Sequence, residues 1–203
     1  MKLLLRKPTR AYLERTLDRA THTSPGLVPG AHFEHTPAGY RLGRTKRVVG
    51  SGNGDFARAC RALEQWSFLP RWARVHPADA APRAATNVLL VVRTFFTWGV
   101  LPARILTSVD ETTPDGHRVG FIYAALPEHV AVGYERFLVE HHEASGAVTF
   151  ELAAVARPVH PVLRRAPPVF RVIQRRFRRA CMHRMRRQVA FPRYGTSTTR
   201  PNA

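Results

Sequence analysis

The sequence predicts an α+β fold in which a curved antiparallel sheet wraps one long C-terminal helix. Three observations carry that prediction. Five β-rich runs between residues 86 and 156 are joined by connections too short for a parallel crossover, which needs about a dozen residues. Residues 169–190 repeat their apolar side chains at helical spacing. The overall order is helix, strand, helix, five strands and a long helix, which suits a sheet packed on helices rather than alternating βαβ units.

Taken in order, residues 9–20 place Tyr12, Leu13, Thr16 and Leu17 near one face, with Glu14 and Asp18 on another, as a short amphipathic helix would. Residues 23–30 and 36–39 carry the Pro and Gly punctuation of loops. A strand is expected over 44–49. The run Gly50-Ser51-Gly52-Asn53-Gly54 then forces a turn, and Asp55 is placed to cap a helix over 56–66 whose apolar face is Phe56, Ala59, Cys60 and Leu63. Strands follow at 86–94, 103–112, 119–126, 134–142 and 147–156, divided by turn residues at 114–116, 127–129 and 143–146. Within 134–140, alternation puts Tyr134, Arg136, Leu138 and Glu140 on one side and Glu135, Phe137 and Val139 on the other. At about 100° per residue the long helix carries a stripe of Val169, Phe170, Ile173, Phe177, Ala180 and Cys181, with Arg171, Arg175, Arg178, Arg179 and Arg186 opposite. The tail after Pro192 has little to bury and is expected to be loose.

The chain has 203 residues, 44% of them hydrophobic, and a formal net charge of +18. That apolar content excludes a disordered basic tail, and the length suits one domain burying roughly 70% of its unfolded surface. The charge is unevenly placed. Residues 152–203 hold 13 Arg and no acid, whereas the first 151 residues carry only +5. The apolar run at Leu3-Leu4-Leu5 is shorter than the about 7 residues of a secretion signal's core. No segment approaches the ~20 apolar residues of a membrane span, so a cytoplasmic protein without a transmembrane segment is expected. Cys60 and Cys181 have no partners at metal-ligand spacing and read as buried, reduced thiols.

Several motifs dissolve on inspection. Gly50-Ser51-Gly52-Asn53-Gly54-Asp55 lies between a strand and a helix, as a dinucleotide loop does, but Asp55 would oppose a phosphate and the following strands are antiparallel. A tight turn with a helix cap is the better reading. His141 and His142 are neighbours on a strand and point to opposite faces, so they do not share an ion. The residues call for no metal and no cofactor. Arg184 breaks its helix's pattern by falling about 20° from Ile173, inside the apolar stripe. Three placements are open for it: exposure beyond the sheet, snorkelling, or entry into a cavity to pair with Glu135. The Arg face itself reads as a solvated face, in a chain that prefers Arg to Lys throughout, as a contact for nucleic acid or an anionic membrane surface, or as a protein interface.

Val49-Gly50-Ser51-Gly52 with Phe56 and Ala59, Trp66 with Phe68 and Trp72, Gly120-Phe121-Ile122-Tyr123 leading to Leu126 and His129, Gly133-Tyr134-Glu135-Arg136-Phe137, Ala156-Arg157-Pro158 and Gln174-Arg175-Arg176 together resemble the domain-of-unknown-function family nineteen-ninety of bacteria and plants. The resemblance spans about residues 25–188 and implies a fold similar to the START-related helix-grip proteins; it implies no particular reaction. The family's pattern has two acids after the glycine. Here the first is Tyr134 and only Glu135 remains, so a role needing a carboxylate pair is not expected.

The expected organisation is an N-terminal helical extension over 1–24, one helix-grip-like domain over 25–191 and a flexible tail over 192–203. A curved sheet and a long helix differ in curvature and leave an apolar cavity between them. The leading functional expectation is therefore a small hydrophobic or amphipathic ligand, lined by Phe121, Tyr123, Phe137, Phe170, Ile173 and Phe177, with His129, Glu135 and Arg184 at a polar end. Two alternatives stand beside it. One is an anionic partner on Arg171, Arg175, Arg178, Arg179 and Arg186; the other is an enzyme using His129 and Glu135 as an acid/base pair.

Overall fold

The computed structural model describes residues 3–26, 33, 36–94 and 96–190. Its elements are β1 (Leu3–Leu4), α1 (Arg10–Thr21), β2 (Arg41–Ser51), α2 (Gly52–Glu64), β3 (Ala73–His76), β4 (Asn87–Thr94), β5 (Thr97–Thr113), β6 (Gly116–Ala125), β7 (Ala131–His142), β8 (Ala147–Pro158), α3 (Pro161–Arg165) and α4 (Pro167–Ala190). The strands run β2-β8-β7-β6-β5-β4-β3, all antiparallel, and β1 pairs with β5 off that path. This is the curved antiparallel sheet with a long C-terminal helix that the pattern predicted. The expected loose tail over 192–203 lies outside the described residues.

Several elements differ from expectation. β3 has four residues, too few for alternation to register. α3 stands where a Pro-rich connection was expected. β5 starts at Thr97 rather than 103, running through Pro102. A proline inside a strand normally removes a ladder hydrogen bond. Here β1 pairs with β5 no further than Gly99 and the pairing of β5 with β6 begins at Ala103, so Pro102 lies in the gap between them, while its carbonyl accepts from the Leu126 N–H at 3.0 Å.

Helix α2 begins at Gly52, four residues before the expected start. Asp55 does serve this terminus, from inside the first turn: its Oδ2 accepts the Ser51 N–H at 2.7 Å, and its other oxygen pairs with Arg58. Gly50 makes room for this return, since a Cβ there would stand 2.7 Å from the Cβ of Asp55.

The concave face of the sheet is shared by two helices. α2 seats Ala59, Ala62 and Leu63 in a core with Phe68, Phe121, Phe137 and Phe150. The rings interlock: Trp66 lies 4.8 Å from Phe121, and Phe68 and Phe121 each lie 5.1 Å from Phe137. The C-terminal half of α4 joins this core through Cys181, Met182, Met185 and Val189. α1 packs on the opposite face, with Leu13 against Leu89, Val91 and Val100.

Edge strand β2 is tied to the sheet by a buried carboxylate. Glu151 on β8 is 1% exposed and pairs with Arg44 of β2 and Arg136 of β7. Arg44 Nε donates to Oε2 at 2.6 Å and Arg136 Nε to Oε1 at 3.2 Å. Replacing Glu151 by Ala leaves two like charges facing across β8. Arg44 is 58% exposed and turns into water, so the expected cost is about 2 kcal/mol, below the roughly 3–5 kcal/mol of a fully buried broken pair. Urea denaturation at unchanged slope measures it, and Arg44→Ala is expected to cost less because Arg136 still holds the carboxylate.

Candidate functional site

The N-terminal half of α4 covers the part of the concave face that α2 leaves open. Between them lies a cavity of about 120 Å³, walled by Leu90, Val92 and Leu101 on the sheet, by Trp72, and by Phe170 and Phe177 on the helix. The Trp72 and Phe177 rings meet edge to face at 5.9 Å. Ile173 is 44% exposed and forms part of the rim.

Polar groups gather at one end. Strand alternation turns Tyr123 of β6 and Glu135 of β7 inward as direct cross-strand neighbours. The Tyr123 hydroxyl donates to Glu135 Oε2 at 2.8 Å. Burial pushes the Glu135 carboxyl above its ordinary range, against the opposing effects of the Tyr123 hydrogen bond and the Arg178 charge. The same burial drives the Tyr123 phenol well up, with the Glu135 charge adding to it. Across the cavity, Arg178 is 9% exposed, and among the described residues its Nε has no hydrogen-bond partner. Burial lowers the pKa of its guanidinium, Glu135 raises it, and repulsion from Arg175 lowers it. Gly43 of β2 admits this side chain: a Cβ there would stand 2.6 Å from Arg178 Nη1.

His129 also lines the cavity, on the turn between β6 and β7. Its Nδ1 lies 3.1 Å from the Ala131 N–H and 3.0 Å from the Ala131 carbonyl oxygen, so the ring finds a backbone partner there as acceptor or as donor. Burial lowers its pKa to about 4 from 6.5, although the Ala131 carbonyl acts the other way. A base this weak transfers protons poorly near neutrality. The Cys60 thiol, pushed up to about 12 by burial, is equally inert there.

Six of the expected cavity residues thus converge: Tyr123, His129, Glu135, Phe170, Ile173 and Phe177. Three do not. Phe121 and Phe137 are part of the solid aromatic core because α2 fills that end of the groove. Arg184 is half-buried further along α4 and does not line the cavity; the arginine that faces Glu135 is Arg178, which the helical pattern placed outside. The buried face of α4 is Phe170, Arg178, Cys181, Met182, Met185 and Val189. At about 100° per residue its centre lies roughly 100° from the expected stripe, because the two methionines and Val189 pull the helix round and leave Val169 and Ile173 half exposed. Arg171, Arg175, Arg179 and Arg186 are exposed as expected. Trp72, Gln174 and Arg178 are among the lining residues that were missed; Met182 and Met185 in the pattern were the signal for the last.

A curved antiparallel sheet closed on its C-terminal helix over an apolar cavity is the helix-grip arrangement. The chain belongs to the family described as Domain of unknown function (DUF1990), whose profile matches residues 26–184. It is 36% identical over 186 residues to a UPF0548 protein of Deinococcus radiodurans, covering 85% of this chain and 91% of that protein. A UPF0548 protein of Arabidopsis thaliana is 26% identical over 145 residues, covering 70% and 69%. Among solved structures, the chain is similar to Ara h 8.0201 at a TM-score of 0.47 and 6% identity, over 75% of this chain and 99% of that one. It is also similar to hypothetical protein jhp0584 from Helicobacter pylori at 0.49 and 14%, over 75% and 88%. Among the described residues no helix is long and apolar enough to cross a membrane.

The lowered pKa of His129 makes stability depend on pH with a definite sign. Between about 6.5 and about 4 the unfolded chain binds a proton that the folded chain refuses, so stability is full above that window and falls as pH drops through it, by up to ~3 kcal/mol. Glu135, raised rather than lowered, acts in the opposite direction. Denaturant titrations from pH 7 to 4 are expected to show a smaller fall in a His129→Gln variant than in the parent; equal slopes would remove the buried neutral imidazole from the account.

Proposed function

We propose that the protein binds a small amphipathic molecule in the cavity between the sheet and the first half of α4. The observation that carries this reading is an apolar cavity with three polar groups at one end, the buried Tyr123 and Arg178 and the half-buried Glu135, with no ion pair within contact distance between Glu135 and Arg178 among the described residues. A buried guanidinium with an unpartnered N–H is costly, and a ligand that accepts that hydrogen bond offsets the cost.

The size narrows the ligand. An engineered apolar cavity of roughly 150 Å³ takes a benzene, so about 120 Å³ suits a molecule of about one ring, its apolar edge against Trp72 and Phe177 and an oxygen toward Arg178. Acid/base catalysis is the less favoured use of the same residues, because burial holds His129 neutral, with a pKa of about 4.

Native mass spectrometry of freshly purified protein is expected to show a non-covalent small-molecule adduct. Benzoate and p-cresol are expected to perturb tryptophan fluorescence saturably. Ala125→Phe, which fills the cavity from β6, should abolish both while circular dichroism stays unchanged; Phe177→Ala provides a second folded variant with altered affinity. Absence of both adduct and probe binding from the parent protein sinks the reading.

A further inference from the structure

We propose that a second site, the cleft between β2 and the middle of α4, binds a small molecule carrying linked phosphates, a di- or triphosphate chain. The cleft measures about 400 Å³ and is lined by Arg44, Thr45 and Arg47 from the strand and by Arg175, Arg178, Arg179, Met182, His183 and Arg186 from the helix. None of these side chains is acidic. Glu151 holds Arg44, and Glu135 lies in the cavity beyond Arg178, so Arg47, Arg175, Arg179 and Arg186 keep a charge that no described carboxylate pairs. Two are already oriented by backbone: Arg186 donates from Nε and Nη2 to the Val48 carbonyl at 3.2 and 3.1 Å, and Arg47 to that of Lys46 at 2.9 Å. Guanidinium groups fixed in this way match phosphate oxygens in planar, paired hydrogen bonds.

Geometry selects among phosphate carriers. From Arg175 to Arg186 the helix rises roughly 16 Å, too long for one phosphate and suited to a linked row. The cations converge from two walls of a concave cleft, which a flat bilayer does not enter. His183 is the one ring that lines it, with no Phe, Tyr or Trp, so the succession of stacking platforms on which single-strand binders depend is missing. The like-charge repulsion between Arg175 and Arg178 is relieved when a polyanion enters.

Tripolyphosphate titrated calorimetrically at low salt is expected to bind one per chain, at least about tenfold tighter than inorganic phosphate, and to weaken as salt rises. Arg175 and Arg179 do not line the apolar cavity, so failure here is separable from failure of the ligand reading above. The double variant Arg175→Gln/Arg179→Gln is expected to lose about tenfold or more in tripolyphosphate affinity, a loss of two charge-assisted contacts. Arg171→Gln/Arg187→Gln, the same charge change on exposed positions outside the cleft, should lose less than about twofold. Equal losses in the two variants overturn the site, as does binding of single-stranded DNA or phosphatidylserine vesicles that tripolyphosphate fails to displace.

Discussion

The structure depends on how a helix without a single acidic residue is seated on a sheet. α4 holds eight arginines between Arg171 and Arg187, and a helix so charged does not dock on an apolar surface unless its inward positions are compensated from outside. The compensation comes from β2 and its neighbours. Gly43 leaves space for the Arg178 guanidinium, Val48 gives its carbonyl to Arg186, and Glu135 faces Arg178 from β7. The carbonyl of Val189 is in turn held by Arg58 of α2 at 2.9 Å. β2 is itself an edge strand, held to β8 by its backbone ladder and by the Glu151 clamp that reaches through β8 to β7.

The cavity follows from this seat. α4 is fastened at its C-terminal half, where Cys181, Met185 and Val189 meet the α2 core, and at Arg178 in its middle. Its first half has only Phe170, Gln174 and Phe177 to set against a sheet that curves away. α2 is 13 residues long and fills the groove only as far as the Phe121 and Phe137 pair. What remains is a space of about 120 Å³ whose walls on the sheet are largely apolar, with Tyr123 and Glu135 alternating into one end. The polar end is therefore a product of sheet register as much as of residue type. A one-residue slip of β7 would exchange Glu135 for Tyr134 or Arg136 and turn the carboxylate to the opposite face.

Legibility tracked local periodicity. Alternation in β7 put Glu135, Phe137 and Val139 on one face, and the structure keeps them there, because a half-buried strand must obey its pleat. The long helix was visible in length and type, yet its rotation was wrong by roughly 100°, since large aliphatic and aromatic residues were weighted over Met182 and Met185 and Arg178 was placed on the water-facing side. Phe121 and Phe137 were read as cavity wall because nothing local to them records that α2 packs against the same face. That is a tertiary fact. Trp72 was invisible for the same reason: it lies outside any regular element and reaches the cavity only through the fold.

The net charge of +18 is sorted by this geometry rather than spread over it. One turn of α4 is enough to change an arginine's surroundings completely. Arg178 is buried beside a carboxylate, Arg175 and Arg179 border a basic cleft three residues before it and one after, and Arg171 and Arg176 stand exposed outside both. A uniform basic strip would repel along its length and gain little from any single neighbour. Dividing the same charges among a buried site, a cleft and open solvent lets one buried acid and a few backbone carbonyls hold the helix, while the cations left in the cleft keep their charge facing inward. Only the rotation of the helix makes that division, and Met182, Met185 and Val189 set the rotation through their burial against α2.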